Sequence, residues 1–197
     1  MKLRMIALMV AAGSMATSAM AQQLGEVGEA FVRAVKEKDG EKVDELLQDK
    51  GMTLINTRNV NGETALMITV ARRDSTWTSF LLSNGADPNI ANRSGDTPLI
   101  MAARIGYLEA AQWLVGKKAR VDEANRMGET PLIIAVQGRY TPVVKYLLSK
   151  GANPDKTDNA AGYSARDYAK RDSRNPEILR LIEAATKKPA AATAAKK

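Results

Sequence analysis

Glu63, Asp96 and Glu129 stand 33 residues apart in the chain. Acids at a fixed spacing raise the question of carboxylate chemistry. Two carboxylates divide general-acid and general-base work only where a shared cleft drives their pKa values apart. A metal ion needs several ligands in one coordination shell. Groups about one repeat apart are expected to be too far apart to share a metal. The 197-residue chain also has no histidine and no cysteine. It therefore lacks the commonest general base and the commonest metal ligand. Its serines and threonines have no imidazole to activate them. The reading is no catalytic residue, no metal site and no cofactor, in a protein that is not an enzyme.

The acids recur because the segments around them recur. Gly62-Glu63-Thr64-Ala65-Leu66 returns as Gly95-Asp96-Thr97-Pro98-Leu99 and again as Gly128-Glu129-Thr130-Pro131-Leu132, 33 residues later each time. Gly85-Ala86-Asp87 and Gly151-Ala152-Asn153 lie two periods apart, and Lys118-Ala119-Arg120 fills the slot between them without the glycine. A period of this length marks a stacked array whose units are too small to bury their own apolar faces. Within one period, Thr97 can cap a helix and Pro98 suits its first position. Leu99, Ala102 and Ala103 then share a face, Gly106 makes a turn, and Leu108 to Val115 forms a second helix. Thr141-Pro142 and Asn175-Pro176 read as cap and proline of later second helices. Gly85 and Gly151 follow helices, where a left-handed residue commonly ends them. Upstream, Val27, Phe31 and Val35, then Val43, Leu46 and Leu47, predict two helices broken near Asp39-Gly40.

Period, Thr-Pro-Leu box, glycines and the Gly-Ala-[Asp/Asn]-Pro ending together closely resemble the ankyrin repeat, over Asn59 to about Ala185. The resemblance implies an all-α fold: an ankyrin-repeat solenoid of paired antiparallel helices with β-turn loops. Its structural residues would be Thr64, Leu66, Thr97, Pro98, Leu99, Thr130, Pro131 and Leu132. The expected organisation is a signal peptide over 1–21, an N-terminal helical cap over 22–58 and repeats over 59–91, 92–124 and 125–158. A C-terminal capping repeat over 159–186 and a Lys/Ala tail over 187–197 complete it. Two departures stand out. The family's histidine after the box is replaced by Met67, Ile100 and Ile133, so apolar contact is expected to replace its hydrogen bonds. The fourth unit, Gly162-Tyr163-Ser164-Ala165-Arg166-Asp167, arrives one residue late and has Arg166 in place of leucine, as suits an end repeat with a polar outer side.

The resemblance also implies function through surface. Ankyrin arrays bind proteins with their turn tips and with the concave side formed by the first helices. The tip positions map onto Arg58, Val60, Asn61 and Glu63; Arg93, Ser94 and Asp96; Arg126, Met127 and Glu129; and Ala160, Ala161 and Tyr163. The first-helix positions map onto Ala71 and Arg72, Arg104 and Ile105, Gln137 and Gly138, and Arg171 and Asp172. The partner contact is expected at Arg72, Arg93, Arg104, Ile105, Arg126, Met127 and Gln137. Arginine beside exposed apolar groups is an interface composition. Ile105 is expected to face water unless covered. The competing reading makes Arg93–Asp96 and Arg126–Glu129 solvated tip pairs contributing about 0–1 kcal/mol each. Phe80, Trp113 and Tyr146, again 33 apart, read as outer packing of the second helices, with Trp77 one turn earlier.

The net charge of +7 belongs mostly to the ends. Lys2 and Arg4 account for two charges, and Lys187, Lys188, Lys196 and Lys197 for four, leaving the body at +1. A nucleic-acid binder would carry its excess on the folded body, so that partner is not expected. No apolar run approaches the roughly 20 residues of a membrane span. Lys2 and Arg4, the apolar Met5–Ala12 and Ala19-Met20-Ala21 have the order of a secretory signal cut before Gln22. A periplasmic, monomeric scaffold that binds a protein partner is the expectation; a narrower version has it restrain or shield an envelope enzyme. The alternatives are a wall-associated structural protein anchored by its basic tail, or an enzyme of unrecognised type.

Overall fold

The computed structural model describes residues 25–187, in two compact units divided in sequence after Ala65. The signal segment, the cut before Gln22 and the tail beyond Lys187 lie outside the described residues.

The first unit begins with helix α1 (residues 25–37) and α2 (Gly40–Lys50), followed by a 3-10 helix over Gly51–Asn56. The break falls where Asp39-Gly40 predicts it. Lys38 turns the chain with a left-handed φ of 62°. Asp39 then accepts the Lys42 N–H at 2.9 Å, satisfying a donor at the start of α2. Phe31, Val35 and Val43 are buried with Leu54 and Ile55, while Val27, Leu46 and Leu47 are half-buried. A turn tip closes the unit by pairing Arg58 with Thr64.

The second unit repeats one hairpin. α3 (Ala65–Ala71), α5 (Pro98–Arg104), α7 (Pro131–Gln137) and α9 (Ala165–Arg171) are the first helices. α4 (Ser75–Ser83), α6 (Leu108–Gly116), α8 (Thr141–Ser149) and α10 (Pro176–Lys187) are the second. α5 packs on α7 and α7 on α9 in one row, and α4, α6, α8 and α10 follow one another in the other. The first helices have seven residues each. Alone, helices that short are unstable in water, so stacking must hold them. Leu99, Ile100, Ala102 and Ala103, and likewise Leu132, Ile133 and Ala135, are fully buried. Met67, Ile100 and Ile133 thus fill the core where the family's histidine would stand.

The caps follow the sequence closely. Thr97 accepts from the Ile100 N–H at 3.3 Å and Thr130 from Ile133 at 3.2 Å, with Pro98 and Pro131 at the helix starts. Thr141 departs from expectation. It is the first residue of α8, Tyr140 precedes it without a side-chain cap bond, and the Thr141 hydroxyl instead accepts from Asn175 at 3.2 Å. Its reach toward the next repeat outweighs a local bond. Gly85 and Gly151 are left-handed, and so is Lys118 in the slot between them, at φ 68°. Arg73, Gly106 and Arg139 share a left-handed slot as well. Gly106 needs to be glycine for space: a Cβ there would stand 2.3 Å from the Tyr140 ring.

Candidate protein-binding face

The turn tips are built on a column that the repeat spacing holds but the box motif hides. Asn59, Asn92, Asn125 and Asp158 are 33 residues apart. Asn92 Oδ1 accepts the N–H groups of Ser94 and Asp96, both at 2.9 Å. Asn125 does the same for Met127 and Glu129 at 3.0 Å, and Asn59 for Asn61 and Glu63 at 2.9 Å. A side-chain carbonyl that mimics backbone is what favours asparagine in turns. In the second unit the tips also join one another. The Arg126 N–H donates to the Ser94 carbonyl at 3.1 Å, and Asn159 to Met127 at 2.8 Å.

The acids are wired into this frame. Asn125 Nδ2 donates to Asp96 Oδ1 at 3.0 Å and to Glu129 Oε2 at 2.9 Å. These two carboxylates therefore flank a single amide. The stacked tips touch, and the Asn125 side chain spans the gap between acids a full repeat apart. Glu63 accepts locally from Asn59 at 3.1 Å. Among the described residues no group of three or more His, Cys, Asp or Glu is placed to hold a metal ion.

Arg104 is exposed at the end of α5 and pairs with Asp96 at 2.8 Å. The tip pairs Arg93–Asp96 and Arg126–Glu129 do not form among the described residues: Asp96 turns to Arg104, and Glu129 to Asn125. Ile105 is half-buried rather than open to water; it ends α5, and its carbonyl accepts from the Arg73 guanidinium, which also lies over the Tyr107 ring at 5.4 Å. Arg72, Arg93 and Arg126 are exposed, and Met127 keeps 55% of its surface in solvent. Gln137 is exposed at the end of α7, where it lines a hollow together with Tyr168. The face thus joins Arg104, Asp96, Asn125 and Glu129 in one cluster. Tyr168 and Asp158 form a second.

The second cluster differs electrostatically. Asp158 replaces the asparagine of the column and is buried. Its Oδ1 accepts the N–H groups of Ala160, Ala161 and Gly162 at 2.8 to 3.1 Å, and its other oxygen takes the Tyr168 hydroxyl. Burial acts to raise its pKa, but the Tyr168 hydroxyl and the backbone N–H groups prevail and hold it below the usual carboxylate range. Tyr168 is correspondingly raised, first by the bond to Asp158 and then by burial. Asp158 and Tyr168 escaped the motif reading; the 33-residue column and its one change from asparagine to aspartate were the available signal.

The other row carries the aromatic column. Phe80 and Tyr146 are half-buried and Trp113 is 36% exposed, with Trp77 edge-on to Phe80 at 5.4 Å and Tyr107 edge-on to Trp113 at 6.3 Å. Among the described residues no helix is long and apolar enough to cross a membrane.

A family model for ankyrin repeats in three copies matches residues 31–124 and, overlapping, 73–158. The chain belongs to the ankyrin-repeat family. The all-α repeat architecture expected from the sequence is borne out, and it marks the chain as a protein–protein interaction scaffold.

Proposed function

We propose that this chain is a non-enzymatic, monomeric scaffold of the bacterial periplasm that holds one partner protein with its first-helix face and turn tips, restraining or shielding an envelope enzyme. The observation that carries the reading is the state of the exposed polar groups on that face. Arg104 reaches solvent, yet it is held by Asp96, which Asn125 holds in turn. Side chains already held in place lose less entropy on binding. Met127 adds exposed apolar surface at the tip. Export is supported by the order of basic start, apolar run and Ala19-Met20-Ala21.

Capture of a periplasmic partner by the intact chain tests the face. Arg104→Ala with Met127→Ser is expected to weaken capture at least tenfold, about 1.4 kcal/mol, with little change in thermal midpoint. Trp113→Ala, on the second-helix row, is expected to spare affinity. The reverse pattern would place binding on the second-helix row. Intact mass of the exported protein is expected to begin at Gln22, and retention of Met1 would remove the periplasmic reading. Light scattering that shows a dimer would remove the monomer.

A further inference from the structure

Between α7 and α9 the first-helix face opens into a hollow of about 270 Å³ whose lining includes Val136, Gln137, Arg139, Tyr168, Arg171 and Arg174. Asp172 is the one acid in that lining. It receives Arg139 and, at 3.4 Å, Arg174. Two guanidinium groups therefore share a single carboxylate, and a third arginine lines the hollow beside them. Arg171 is held by an aromatic side chain instead. Its guanidinium lies 4.7 Å from the Tyr163 ring centre, and Nη1 donates to the Tyr163 hydroxyl at 3.0 Å. Tyr163 is fixed in turn, edge-on to Tyr168 at 5.6 Å.

We propose that this hollow receives an acidic side chain from a partner polypeptide, with Arg171 and Arg174 as the carboxylate fork and Gln137 and Tyr168 as the wall. The inference rests on the scaffold reading and names the chemistry of the contact. Each guanidinium has more N–H donors than its present partners use, and carboxylates take such donors two at a time. Stacking on Tyr163 orients Arg171 before the ligand arrives, which lowers the cost of binding. An extended polyanion fits poorly, because the same face presents Asp96, Glu129 and Asp172 among its arginines. A nucleic acid or lipid surface asks for an unbroken basic patch.

The test is selection of displayed random peptides on the intact chain, followed by fluorescence anisotropy of the recovered peptides. Peptides enriched in Asp or Glu are expected, and changing the acid to its amide should weaken binding by about tenfold or more. Arg171→Glu with Arg174→Glu should abolish it, and Arg171→Gln with Arg174→Gln should weaken it with the thermal midpoint unchanged. Lys117→Glu with Lys145→Glu, the same charge change on the second-helix row, should leave binding within about twofold. Recovery of no peptides, or of peptides without acids, overturns the proposal. So does equal loss in both charge-reversed proteins, or binding of phosphatidylglycerol vesicles that depends on Arg171 and Arg174 when peptides do not bind. The scaffold reading fails separately. If Arg104→Ala with Met127→Ser abolishes partner capture while reversal at Arg171 and Arg174 leaves it intact, that reading stands and this one falls.

Discussion

Leu132 and Arg166 occupy the same slot in successive repeats, and their surroundings are opposite. Leu132 lies fully buried behind Thr130 and Pro131, with Ile133 beside it. Arg166 grips Asp155 through Nε at 2.7 Å and Nη2 at 3.2 Å. The helix that carries it starts with a capping box, Ser164 with Asp167, where the inner repeats use threonine and proline. The tip anchor changes too, from Asn125 to Asp158. α7 is packed between α5 and α9, whereas among the described residues no further helix follows α9 in its row. A repeat covered on both sides can rely on apolar burial. A repeat covered on one side holds its place with charged hydrogen bonds, which tolerate water on the other.

That contrast can be broken at its strongest point first. Leu132→Ala is expected to cost about 2–5 kcal/mol, the range for an emptied core site, read as a lower midpoint in urea. Arg166→Ala in the matching slot should cost far less. Equal losses would mean that the end repeat is packed like the inner ones.

Gly106→Ala probes the inner joints. The new Cβ would collide with the Tyr140 ring in a left-handed backbone, at an expected cost of about 1–3 kcal/mol. Thermal melts should show partial rescue by Tyr140→Leu, since that removes the clash and leaves only the backbone strain.

Asp158→Asn imposes the inner anchor on the end repeat. The amide can still accept the tip N–H groups but cannot accept the Tyr168 hydroxyl, so a cost of about 1–2 kcal/mol is expected. The pH dependence gives the sign. Asp158 is held below the normal carboxylate range in the folded chain, so its contribution is present above the unfolded value near 4 and fades as pH falls through the depressed folded value. Amide hydrogen exchange in α9 should show that acid loss in the natural chain and less of it in Asp158→Asn. Identical acid profiles would refute the role given to this carboxylate.

The smallest effect is expected at Arg166→Ala itself, about 0.2–1 kcal/mol as for a partly exposed ion pair. It should shrink further in high salt. Denaturation midpoints at low and high salt check this, and a salt-independent loss would assign Arg166 to packing.

The sequence by itself determined whatever repeats along the chain. The 33-residue period, the threonine caps, Pro98 and Pro131, and the buried leucines follow from local backbone chemistry and from helices too short to stand alone. The departure at Arg166 was legible for the same reason, because a pattern makes its exceptions visible. Only the tertiary structure decided which polar groups meet. Asp96 takes Arg104 rather than Arg93, Asn125 ties Asp96 to Glu129 across two repeats, and Arg171 settles on Tyr163. Each partner was present in the sequence with several possible mates. The choice among them depends on how closely the tips stack and on side-chain reach across that gap, distances of a few ångströms that no spacing along the chain specifies.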